Sequence, residues 1–147
     1  MQLKKSFALL LSAIMMLSCT GVSASAEAAT YIANDGIAPA YEYADIAESM
    51  LYISSNAAEC ISSCTSSSDI VQITVEQTLQ KFWGLWVWND VDGASWAETE
   101  RGSSISSVNT KSGLSSGTYR VKSVFTLTSS SGETETITVY SEEKTIS

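Results

Sequence analysis

The stretch Ile70–Lys81 reads IVQITVEQTLQK, and its alternation decides the fold. Val71, Ile73, Val75, Gln77 and Leu79 fall on one side, and only Gln77 among them is polar. Gln72, Thr74, Glu76, Thr78 and Gln80 fall on the other side, and all are polar. Side chains repeat every two residues along a strand, so this is an antiparallel strand with one face buried and one wet.

The same period recurs outward from it. In TYRVKSVFTLT, residues 118–128, Tyr119, Val121, Ser123, Phe125 and Leu127 share a face opposite Arg120 and Lys122. Ser129–Thr134 turns the chain at Gly132, and Ile137 and Val139 then alternate with Thr136, Thr138 and Tyr140. Upstream, Ala58, Cys60, Ser62 and Cys64 share a face. That run is bounded by a turn at Ser54-Ser55-Asn56, after Leu51 and Ile53, and by a loop over Thr65–Asp69. Residues 44–50 leave a helical turn open, but the residues after them read as strand. Strand formers punctuated by serine-rich loops every eight to twelve residues predict an all-β protein. We expect an antiparallel two-sheet sandwich, immunoglobulin/fibronectin-III-like, of about seven strands over residues 46–147. Residues 27–45 read as a flexible lead-in, with Tyr41 and Tyr43 docking on the domain. No internal repeat or second domain is visible.

The N-terminus indicates a compartment. Lys4 and Lys5 precede an apolar run from Phe7 to Leu17, broken only by Ser12, and a polar stretch ends in Ala24-Ser25-Ala26. That is a secretory signal peptide over residues 1–26, too short to span a bilayer. Cleavage is expected after Ala26, with Ala28 as the alternative. The rival reading lipidates Cys19, which leaves a lipoprotein on the cell surface. Removal of the signal leaves six basic residues against sixteen acidic ones, a formal charge of about −10. Nucleic acid and anionic lipid both need a cationic footprint, so neither is expected as a partner. Membrane attachment is expected only through a lipid on Cys19.

Cys60 and Cys64 then remain. Outside the cytoplasm a pair reads as a disulfide. Four residues of strand span roughly 13 Å, however, and bridged Cα atoms lie within about 7 Å. A bridge needs a bulge or turn at Ile61–Ser63, and two buried thiols on one strand face are the alternative.

Catalytic chemistry finds little support. The chain has no histidine, which removes Ser-His-Asp and Cys-His triads and the commonest zinc ligand. Carboxylate pairs such as Asp90 with Asp92, or Glu98 with Glu100, fall in loops and on outward faces rather than across a cleft. Asn89-Asp90-Val91-Asp92-Gly93 resembles a calcium loop in part. Trp88 stands where the first ligand belongs, and Thr99 where the bidentate glutamate belongs. Asp92-Gly93 is read instead as a tight hairpin turn. No catalytic residue, metal or cofactor is expected.

The aromatic run Phe82–Asp90, FWGLWVWND, carries three of the four tryptophans. As a strand over residues 85–91 it would place Trp86 and Trp88 on one face, and Leu85 and Val87 on a buried or half-buried one. Trp96 would pair back across the Asp92-Gly93 turn. A domain this small cannot bury all four indoles, so at least one is expected to meet solvent. Trp86, Trp88 and Trp96 are the candidate binding residues, for an unknown protein or a glycan.

Leu79-Gln80-Lys81, the tryptophans between 86 and 96, Ser116–Val121 (SGTYRV) and Thr138–Ser141 (TVYS) stand out together. In these stretches the chain resembles a group of small secreted immunoglobulin- or fibronectin-like β-sandwich proteins from Gram-positive bacteria whose function is unknown. The resemblance covers residues ~50–146 and implies the sandwich fold and secretion. In such folds the tyrosine of Gly-Thr-Tyr-Arg-Val ties down a loop crossing between sheets, which here would be Tyr119. It transfers no catalytic or binding residue. The expected protein is a secreted, non-catalytic β-sandwich acting as an extracellular binding module. The alternative is a carbohydrate-binding module stacking sugars on its tryptophans.

Overall fold

A computed structural model describes residues 41–147, together with the backbone of Ser23–Ala26 and Ala29–Ile32. The apolar run and Cys19 lie outside the described residues. The structure is an all-β sandwich. β3 (Ala44–Ser54), β4 (Ala57–Ser66) and β7 (Ser104–Lys111) form one sheet in the order β3-β4-β7. The facing sheet runs β9-β8-β5-β6, built from β5 (Ile70–Gly84), β6 (Val87–Arg101), β8 (Gly117–Ser129) and β9 (Thr134–Tyr140). β10 (Lys144–Ile146) pairs with the start of β8 beyond the end of β9. Between those two strands Ser141 returns to the ladder: the Val121 amide donates to its hydroxyl, and its own amide donates to the Val121 carbonyl. Backbone pairing adds β1 (Ser23–Ala26) beside β9 and β2 (Ala29–Ile32) beside β1, with the expected cleavage point between them.

The alternation of β8 holds throughout. Tyr119, Val121, Ser123, Phe125 and Leu127 are all buried, as are Ile137 and Val139 on β9 and Ala58, Cys60, Ser62 and Cys64 on β4. On β5, Ile73, Val75, Gln77 and Leu79 are buried, but Val71 is exposed. The register between β5 and β8 slips between Ile70 and Gln72, so Ile70 turns inward in its place. Residues 44–50 are strand and not helix. Tyr41 and Tyr43 pack against the core, as expected. The Glu135 carboxylate accepts hydrogen bonds from the amides of Glu42 and Tyr43 at 2.8 and 2.9 Å.

Two apolar clusters fill the interior. One surrounds Phe125, Leu127 and Ile137; the other surrounds Leu51, Leu79, Tyr119 and Val121. The Tyr119 hydroxyl donates to the Ser115 carbonyl at 2.7 Å, in the loop that crosses from β7 to β8. This is the loop anchor that Gly117–Val121 implied, and it fixes one end of the sandwich.

β4 runs through Cys60 and Cys64 with no register shift, so both remain free, buried thiols. The bulge that a bridge requires is absent from that strand, and an extended strand holds the two too far apart. Burial, joined by the charges of nearby carboxylates, pushes both thiols up from 9.0 to about 12. We therefore expect neither to react with a disulfide reagent in native protein, and both to react in denaturant. A folded pKa above the unfolded one means that unfolding releases protons between the two. Stability from this source is complete below pH 9 and falls as the pH rises toward 12, by up to about 1.4 kcal/mol per pH unit for each thiol. Alkaline unfolding of wild type against Cys60→Ala measures that slope; equal slopes would refute it.

Candidate functional site

Where β5 meets β6 the two central turn positions hold none of the usual turn residues, and the one glycine there, Gly84 at φ 101°, precedes them. The closing pair is Gly84 with Val87, leaving Leu85 and Trp86 as the two central residues. Both have positive φ, 49° and 66°, the signature of a type I′ hairpin turn. Such turns favour Asn-Gly or Gly-Gly, because a side chain in the left-handed region crowds its own backbone. Here those positions hold a leucine and a tryptophan, each 93% exposed. Trp83, 76% exposed, occupies the register slip just before Gly84.

The tip also projects. The last pair between β5 and β8 is Lys81 with Tyr119, near the start of β8, so beyond Lys81 the hairpin has no sheet neighbour. β8 itself runs on to Gly117, where it pairs with Ile146 of β10, so about two residues at ~3.3 Å each carry the tip ~7 Å past the end of β8.

Behind the tip lies a polar-aromatic brace. Phe82 and Trp88 face one another across the hairpin with ring centroids 5.2 Å apart. The Arg120 guanidinium sits between the Trp88 and Tyr140 rings, 4.2 and 4.1 Å from their centroids. Its Nε donates to Gln80 Oε1 at 3.0 Å, and Gln80 Nε2 donates to Asp90 Oδ1 at 2.9 Å. Burial lowers the pKa of Arg120, while Tyr140 and Glu143 act in the opposite direction. On the other side, Lys81 Nζ lies 5.5 Å from the Tyr119 ring centroid and donates to Ser115 Oγ at 2.7 Å. Cation–π pairs of this kind fix the base of the hairpin without covering its end.

Each sequence-derived candidate now has a place. Trp86 is at the tip, on a turn rather than a strand face. Trp88 is in the brace, with one face of its ring covered by Arg120. Trp96 pairs opposite Gln77 and packs, half-buried, against the second apolar cluster. The three do not share a surface. Leu85 and Val87 are exposed and form no buried side. Leu85 and Trp83, outside the candidate set, join Trp86 at the tip.

Asp92-Gly93 is not the hairpin turn. β6 runs on past it to Arg101, and residues 91–94 form a bulge opposite Leu79, between the pairs Thr78–Ser95 and Gln80–Asp90. The bulge rotates Ala94 fully into the core and sets Val91 against it. Gly93, at φ 65°, serves that bend, and a Cβ there would lie 3.1 Å from Lys111 Nζ. Among the described residues no group of three or more Cys, Asp or Glu gathers in a way that could hold a metal. Neither a protein-family model nor a curated protein matches the chain.

Proposed function

We propose that the chain is a secreted, non-catalytic interaction module whose contact element is the tip of the β5–β6 hairpin. The observation that carries this is the pairing of strain with exposure at Leu85 and Trp86. Left-handed backbone is unfavourable for bulky residues, and apolar side chains in water add a second penalty. Almost any Asn-Gly sequence would relieve both. A segment that works against the stability of its own domain, and is braced by Arg120 and Phe82, fits a surface that something else covers.

The sugar-stacking alternative has less support. It drew on Trp86, Trp88 and Trp96 as one platform, and these rings lie on three surfaces. Residues 82–88 also carry no polar side-chain group apart from the indole N–H groups, whereas a bound sugar needs fixed hydrogen-bond partners for its hydroxyls.

A photoreactive residue placed at position 86, with a second version at Glu98, tests the assignment. Glu98 is exposed on β6 toward the opposite end. In the exported protein, at the surface of the producing cells, adducts should form from position 86 and not from 98. Adducts of lipid, protein or glycan at the tip all support it. Equal labelling from both positions, or none from 86, overturns it.

A further inference from the structure

We infer that the tip's partner is a phospholipid bilayer surface, into whose interfacial layer Trp83, Leu85 and Trp86 insert. This rests on the reading of the tip as the contact element and names what that element meets.

Shape and chemistry both suit a bilayer. The tip is convex, and Trp83, Leu85 and Trp86 leave it open to water. From Phe82 to Trp88 there is no charge and no polar side-chain group beyond the indole N–H groups. A protein pocket would have to match this protrusion, and a polar ligand would find little to orient it. A bilayer interface accepts a convex apolar element without a matching cavity, and tryptophan settles there with its ring in hydrocarbon and its N–H among headgroups.

The reach of the hairpin suits it too. The hairpin extends ~7 Å beyond the end of β8, within the ~5–10 Å to which interfacial elements sink. At that depth turn amides and carbonyls still reach water and headgroups, which the hydrocarbon centre would deny them.

Charge is distributed to match. The whole chain is acidic, and that average argues against a membrane. The average conceals a gradient. Within residues 41–147, Lys81, Lys111, Arg120, Lys122 and Lys144 all lie on the tip side of the level of Gln77, Ser123 and Ser62. Only Arg101 lies on the other side, among Glu98, Glu100, Glu133 and Glu135. Glu59, Asp90, Asp92, Glu142 and Glu143 balance the tip-side cations, so the collar behind the tip is close to neutral. The acidic pole points away from the membrane, and headgroup phosphates meet a collar that does not repel them. Apolar insertion, rather than attraction to anionic lipid, then carries the binding.

The test uses the full secreted chain with phosphatidylcholine vesicles, some carrying a quencher on the acyl chain near the headgroup. Tryptophan emission should shift to the blue and be quenched, and binding should persist at high salt. Leu85→Asn with Trp86→Gly should weaken partitioning by at least about tenfold, since the two lost side chains together remove an insertion contribution of that size or more. That variant must retain its fold, which thermal unfolding checks. Absence of quenching by any vesicle overturns the inference, as does a double variant that binds as well as wild type. Binding that requires anionic lipid and vanishes in salt also overturns it. If vesicles fail while position 86 labels a protein or glycan, the bilayer is wrong and the contact element stands. If position 86 labels nothing either, both fall.

Discussion

Replacing Leu85 with Asn and Trp86 with Gly is expected to make the protein more stable. Two bulky residues held at φ 49° and 66° each cost about 1–2 kcal/mol relative to a residue suited to that region. Asn tolerates left-handed backbone and Gly adopts it freely, so the pair Asn-Gly relieves both. Glycine gives back roughly 0.5–1 kcal/mol through the freedom it adds to the unfolded chain. Little else is lost, because both side chains are 93% exposed and bury almost nothing on folding. The net gain is about 1–3 kcal/mol. For a domain of this size that raises the Tm by roughly 5–15 °C. Calorimetry of wild type and variant decides it; an unchanged or lower Tm would show that the turn carries no strain to relieve. A rise in Tm joined to a loss of vesicle binding would place stability and function in opposition at the same two residues.

That opposition also explains what could be read from the sequence. β8 and β9 were legible because Tyr119 to Leu127 on one and Ile137 and Val139 on the other keep alternate side chains buried, and a period of two leaves little choice of register. The same holds for Ala58–Cys64, where the strand period also foretold that a bridge between Cys60 and Cys64 needs a bulge the strand does not make. Tyr119 was legible through its local motif, since a hydroxyl four residues from Ser115 reaches back across a loop. The β5–β6 turn was not. Local chemistry favours Asp92-Gly93 as the turn, and Leu85-Trp86 is among the least suitable pairs for one.

Tertiary contacts overrule that preference. Phe82 against Trp88, Gln80 against Asp90, and Arg120 between two rings hold the strands in a register that leaves only Leu85 and Trp86 to close the hairpin. With the turn moved seven residues upstream, Asp92-Gly93 becomes a bulge, and its glycine serves the inward rotation of Ala94. Val71 failed for a related reason: a slip at one end of β5 reversed a single side chain while the rest of the strand kept its faces. Periodicity reports the average face of a strand. It does not report where the register breaks, and in this chain the exposed tip lies at such a break.

Gln77 is the other residue expected to give a large effect. It is the polar member of the inward face of β5, and it is fully buried between the two apolar clusters. Its Nε2 donates to Ser62 Oγ at 2.6 Å; the Ser62 and Ser123 hydroxyls lie 2.7 Å apart; and Ser123 Oγ donates to Ser49 Oγ at 2.9 Å. On its other side, Asn109 Nδ2 donates to Gln77 Oε1 at 3.0 Å and to Ser107 Oγ at 2.9 Å. Among the described residues no buried side-chain nitrogen or oxygen lacks a partner. The network therefore stitches Ser49 and Ser62 of one sheet, through Gln77 and Ser123, to the other.

Gln77→Ala removes the centre of that network and leaves a cavity the size of a large side chain. A cost of about 3–4 kcal/mol is expected, comparable to large-to-small changes in apolar cores. Gln77→Met keeps the volume and removes only the hydrogen bonds, so it should cost about 1–2 kcal/mol. Urea unfolding should move both midpoints down with the slope unchanged. A Met variant as stable as wild type would mean that the amide contributes no net stability, and that its value lies only in register. Shape alone could let apolar clusters slide over one another, whereas hydrogen bonds of fixed length cannot. Gln77 thus ties the sheet that carries Tyr119, Arg120 and the hairpin to the sheet that faces it.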